Sequence, residues 1–156
     1  MEVDCRGLDE WTPLHFACYQ GHADVVGLLC KQGAAVNAVT RYNRNGLHLA
    51  ALRGHYEVAQ TLANCGIMLD AFDSDGNTAL HFAAENGHRE IIMFLLEKGC
   101  KVSKNREGAT PITDCCQDYL KRLFYEHGYR EDGEYLMHGV PLSAAANRLH
   151  RQILDS

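Results

Sequence analysis

Thr12, Asn45 and Thr78 are evenly spaced along this chain, and Thr110 follows at an interval shorter by a single position. Self-similarity at a fixed interval of this size implies supersecondary units that cannot bury their apolar faces alone and must stack on their neighbours. The coincidences run through the whole unit. Leu14, Leu47 and Leu80 share one position, and His15, His48 and His81 the next. Small residues follow at Ala17, Ala50 and Ala83 and beside them at Cys18, Ala51 and Ala84, where two helices must approach closely. Gly21, Gly54 and Gly87 each precede a histidine. Val25, Val58 and Ile91, with Leu29, Leu62 and Leu95 one helical turn on, mark one face of a second helix. Gly33, Gly66 and Gly99 fall where that helix would stop in a left-handed conformation.

The local chemistry explains the motif. Thr12 can cap a helix through its hydroxyl, and Pro13 suits the first helical position because the N–H it lacks has no helical partner there. Asn45 and Gly46 replace Thr and Pro in the second unit, which keeps a capping side chain but puts a flexible residue after it, so this unit is expected to be locally weaker. In the fourth unit Thr113 replaces the histidine, the Gly-His turn is missing, and the stretch from Cys116 to Gly128 is too short for a full unit.

The period of about 33 residues and the segment Thr12-Pro13-Leu14-His15-Phe16-Ala17 resemble the ankyrin-repeat family closely. The resemblance implies an all-α solenoid of stacked helix-turn-helix units with hairpin-like finger loops. Three full repeats, at about 8–40, 41–73 and 74–105, and a degenerate fourth at 106–128 would make a stack over 1–128, with a linker and a C-terminal capping or docking helix at 129–156. A helix is expected near Asp118 to His127 and a last one from Pro141 to Leu154, where Leu142, Ala145, Leu149 and Ile153 share a face. Val3, Asp4 and Cys5 align with Val36, Asn37 and Ala38, which close a repeat, so the chain reads as a fragment or as one stacked on another domain, with a short natural N-terminus as the alternative.

Charge and composition narrow the function. A formal net charge of −5, with both signs interspersed, argues against a general phosphate-backbone binder, and no run approaches a transmembrane helix. Nucleic acid and membrane are therefore not expected partners. The seven cysteines mostly take framework slots, and no Cys-x-x-Cys occurs, so they read as reduced thiols of an intracellular protein, cytoplasmic or nuclear. Six of the nine histidines belong to the repeat. His15, His48 and His81 should bond backbone and the capping hydroxyl, while His22, His55 and His88 should brace the turn between helices. His127, His138 and His150 share no metal-like spacing with cysteine or carboxylate. Cys115 or Cys116 with His127 is the best enzyme hypothesis, but no nucleophile signature surrounds them. The expectation is no catalytic residue, no metal and no cofactor.

The remaining information is in positions that vary while the framework holds. The resemblance places the residues between Leu-His and the turn glycine on a concave face: Phe16, Tyr19 and Gln20, then Leu49, Leu52 and Arg53, then Phe82, Glu85 and Asn86. Finger tips add Trp11, then Tyr42 and Arg44, then Asp75 and Asn77. Aromatic and arginine side chains dominate protein interfaces. The chain is thus expected to be a non-catalytic interaction module, a monomeric scaffold or adaptor unless stacked on further repeats, that binds a protein through these residues. The alternative is a regulatory or autoinhibitory segment of a larger enzyme or signalling protein. Phe16 and Phe82 packing between repeats, and Trp11 lying on the first finger, is the structural alternative to contact with a partner. Asn37, eight residues after Leu29, resembles ankyrin-repeat sites of asparaginyl hydroxylation, with Ala35 in place of the usual acidic residue.

Overall fold

A computed structural model describes residues 6–130. After a turn at Leu8–Glu10 come seven helices: α1 Pro13–Gln20, α2 Ala23–Lys31, α3 Gly46–Arg53, α4 Tyr56–Asn64, α5 Ala79–Glu85, α6 Arg89–Glu97 and α7 Asp118–Glu126. Helices α1, α3 and α5 pack side by side as an inner row, α2, α4 and α6 as an outer row, and α7 lies against α6. The expected helix at Pro141 to Leu154, and the alignment of Val3 to Cys5, fall outside the described residues.

Each inner helix starts with the same reciprocal cap. The Thr12 hydroxyl accepts the His15 amide at 3.3 Å while His15 Nδ1 accepts the Thr12 amide at 2.9 Å, and Asn45 with His48 and Thr78 with His81 repeat the exchange. Since Nδ1 accepts, the neutral imidazole carries its proton on Nε2 and donates it to a carbonyl of the next finger: Ala38 at 2.8 Å, Ala71 at 2.9 Å and Ala109 at 3.1 Å. The fourth unit makes the cap without histidine, because Thr113 Oγ1 accepts the Thr110 amide at 2.9 Å and Thr110 Oγ1 accepts the Thr113 amide at 3.2 Å. That unit keeps its finger, its cap and an outer helix, α7, but residues 111–114 form a turn where the others have an inner helix.

The second histidine set braces the preceding unit's turn rather than its own. The His55 ring lies against Gly21, where a Cβ would come within 2.6 Å of it, and its Nε2 bonds the Tyr19 carbonyl at 2.9 Å. His88 repeats this at Gly54 and the Leu52 carbonyl. His22 has no described unit before it and is exposed. Val25 is 40% exposed for the same reason, whereas Val58 and Ile91 are buried by the helix before them.

Fingers are joined backbone to backbone. The amides of Arg41, Ser74 and Arg106 donate to the carbonyls of Asp9, Tyr42 and Asp75 at 2.9 to 3.0 Å. Each finger tip turns through a left-handed residue: Glu10, Asn43, Gly76 and Gly108 share that position, with φ from 62° to 82°.

At Asn45-Gly46, where the sequence led us to expect a weaker unit, the structure shows a tight contact between units. Gly46 faces Cys18, and a Cβ there would sit 2.7 Å from the Cys18 sulfur. Glycine at this position leaves room for the Cys18 side chain of the preceding unit.

Candidate functional site

Among the described residues, two clefts on the inner face are built from equivalent positions. The first, of about 470 Å³, lies between α1 and α3 and is lined by Trp11, Phe16, Tyr19, Gln20, Arg44, Leu49 and Leu52, with Leu8 and Asp9 at the first finger. Its wall is an aromatic cluster. The Trp11 ring lies 5.0 Å from Phe16 and 5.3 Å from Tyr19, and the Arg53 guanidinium stacks 4.8 Å over Tyr19. Phe16 remains 47% exposed, and Tyr42 stands clear of the second finger. The Tyr19 main chain is fixed by His55 of the next unit, so the wall is shaped before anything binds.

The second cleft, about 200 Å³, lies between the third and fourth units and is lined by Asp75, Asn77, Glu85, Asn105, Arg106, Glu107 and Asp114. Burial pushes the Asp114 carboxyl above its ordinary value, as does the neighbouring Glu107 charge, with His81 opposing. The residues missed by the sequence reading here are Asn105, Arg106, Glu107 and Asp114. Moving one repeat onward from Asp75 and Phe82, by the interval that carries Thr78 to Thr110, reaches Glu107 and Asp114, so the register carried the signal. Treating the last unit as degenerate hid it.

The structure sorts the remaining candidates. Leu49, 1% exposed, is the floor of the first cleft, and Phe82, 5% exposed, is core. Phe82 thus takes the packing between repeats that the sequence offered as the alternative to partner contact, and Leu49 meets the surface only through the cleft. Phe82 is closed over by the His48 ring at 5.8 Å and the Arg44 guanidinium at 4.9 Å. Arg44 is in turn committed to the buried Asp73 carboxylate, with Nε 3.2 Å from Oδ2. Asn77 accepts the Asn105 side-chain amide through Oδ1, and the Asn86 side chain donates to the Phe82 carbonyl at the end of α5. Gln20, Arg53, Asp75, Glu85 and Asn86 are exposed. Asn37 is exposed too, with Oδ1 accepting the Met68 amide at 2.8 Å.

The alternative site is the cysteine pair before α7, with Cys115 partly buried and Cys116 exposed. Burial, and then the adjacent Cys116, pushes the Cys115 thiol up to about 11, away from the thiolate a nucleophile requires. The His127 ring donates from Nδ1 to the Leu123 carbonyl at 2.7 Å. Among the described residues no group of three histidine, cysteine or carboxylate side chains is placed to hold a metal ion, and no helix is long and apolar enough to cross a membrane.

A capped inner helix, a braced turn, an outer helix and a finger, repeated in register, define a helical repeat stack. The family model of ankyrin repeats matches residues 1–73 and 67–137, and the chain belongs to the ankyrin-repeat family. It is 58% identical over 38 residues to ankyrin repeat domain-containing protein 49 of Homo sapiens, a match covering 24% of this chain and 16% of that protein. It is 52% identical over 40 residues to oxysterol-binding protein-related protein 1 of Rattus norvegicus, covering 23% of this chain and 4% of that one. These stretches are little longer than one repeat, so the likeness is that of the unit. Ankyrin repeats generally mediate protein–protein interaction, and the family is typically non-enzymatic.

Proposed function

We propose that this chain is a non-catalytic module that binds a protein through its inner face, with the cleft between α1 and α3 as the anchor site. The observation that carries the proposal is the half-exposed aromatic wall of Trp11, Phe16 and Tyr19 beside a fixed apolar cleft. A folded chain gains by keeping such surface buried, and an exposed apolar patch rimmed by polar groups marks an interaction site. Trp, Tyr and Arg are also the residues whose truncation costs most at interfaces, often above about 2 kcal/mol. Arg53, stacked on Tyr19, and the exposed Tyr42 extend the contact surface. The cysteines that fill small or apolar slots in the core, such as Cys18 and Cys100, support an intracellular setting. Asn37 stays a candidate for asparaginyl hydroxylation because its side chain is exposed, although its oxygen already serves the next unit.

Affinity capture from lysate with mass spectrometry tests the site when the parent is compared with a Tyr19→Ala, Arg53→Glu variant of unchanged circular dichroism. A partner retained by the parent and lost by the variant is the expected result. Identical captures would leave the inner face idle and end the proposal.

A further inference from the structure

The two clefts of the inner face are the same place in the repeat with opposite chemistry. The position of Phe16 and Leu49 in the first cleft is that of Asp114 in the second, and the position of Tyr19 and Leu52 is that of Glu85. Asp75 and Glu107 on adjacent fingers complete a group of four carboxylates against one guanidinium, Arg106. Three of the four, Asp75, Glu85 and Glu107, are exposed. Whatever lies along the inner face therefore meets an apolar recess at one end and crowded negative charge at the other.

Resting on the reading of the inner face as a protein-binding surface, we infer that its occupant is an extended peptide segment with a large apolar anchor and, five or six positions away, a lysine or arginine. The spacing follows from the stack. Packed helices lie about 8–10 Å apart, so two repeats separate the clefts by roughly 18 Å, and an extended chain covers about 3.3 Å per residue. The anchor fills the cleft over Leu49 beside Phe16. The ammonium or guanidinium supplies three to five donors to carboxylates that otherwise repel one another. An acidic segment or a nucleic-acid backbone would add to that repulsion. Since the basic contact is made at partly exposed groups, it sets salt dependence and register more than raw affinity.

The test is selection of random dodecapeptides displayed on phage against the parent protein, with counter-selection on a folded Phe16→Asp variant. The expected outcome is enrichment of peptides carrying an aromatic or long aliphatic residue with Lys or Arg five or six positions away. Binding of the selected peptides should fall at least tenfold in an Asp75→Lys, Glu85→Lys variant and weaken several-fold as salt is raised. Both substitutions are at exposed positions, so the fold should stand, and the salt series on the parent gives the same answer without them. Phe16-dependent peptides without any basic bias would overturn this inference and leave the anchor site intact. No Phe16-dependent peptide at all would overturn both, and a dimer on size exclusion would then name a second copy as the occupant.

Discussion

Gly46 shows how one residue in a repeat protein answers to its neighbour rather than to its own unit. Proline at this position would have served the helix start, but the Cys18 sulfur occupies the space that any Cβ needs. Overpacking a tight core contact costs about 1–3 kcal/mol. Gly46→Ala should therefore lower stability by about that amount, even though alanine is the better helix former. Cys18→Ala should be a modest loss alone, and the double variant should recover most of the Gly46→Ala penalty. Denaturant melts of the four proteins measure the coupling, and simple additivity would sink the explanation. The sequence shows a glycine where a proline is usual and a cysteine where alanine is usual. It does not show that the two are one feature, because they belong to different repeats and meet only on stacking.

Among the elements, the fingers are where sequence reading and structure part most clearly. Arg44 has the composition of an interface residue, yet its guanidinium faces the Asp73 carboxylate, whose side chain is 1% exposed, and covers the Phe82 ring. Asp73 Oδ1 also accepts the Asp75 and Asn77 amides, which closes the third finger's turn. Removing the guanidinium would leave a buried carboxylate with backbone donors only, a loss of about 2 kcal/mol once those donors are allowed for. Arg41 offers the contrast: its contact to Asp9 is 3.7 Å long and both side chains are largely exposed. Arg41→Ala should change stability by less than about 0.5 kcal/mol. Equal losses in the two variants, read by thermal melting, would refute the assignment of Arg44 to the framework. The starts of the inner helices α1, α3 and α5, by contrast, are legible, since Thr or Asn with histidine one turn on is a local pattern and its capping bonds are local. Phe16 and Phe82 share a register slot, but one is exposed and the other core. What separates them is Arg44 and His48 closing from the preceding unit, a contact between units that no single repeat displays.

At the scale of the whole molecule, three buried neutral histidines tie the stack together, and they tie it to pH. His15, His48 and His81 each accept a capping amide and donate to the next finger. All three are held below the ordinary value of 6.5 first by burial. The Arg6 charge lowers His15 further. Asp73 raises His48 against Arg44, and Asp114 and Asp73 raise His81. Below 6.5 the unfolded chain takes up protons that the folded stack refuses, so stability is complete above that value and is lost as pH falls toward the folded-state values. Asp114, raised from 3.8, works in the opposite direction. Each histidine can contribute a slope of up to ~1.4 kcal/mol per pH unit, and because neighbouring units share these bonds, the three losses fall on one cooperative stack. Thermal melts should show a midpoint that is level from about pH 7.5 to about pH 6.5 and then falls toward about pH 5, and His15→Gln should lower stability at neutral pH while flattening that fall by about a third. A midpoint that is level or rises across the whole of that range would mean that the histidines keep their protons when the stack folds, and the neutral tautomer assigned from the capping geometry would be wrong.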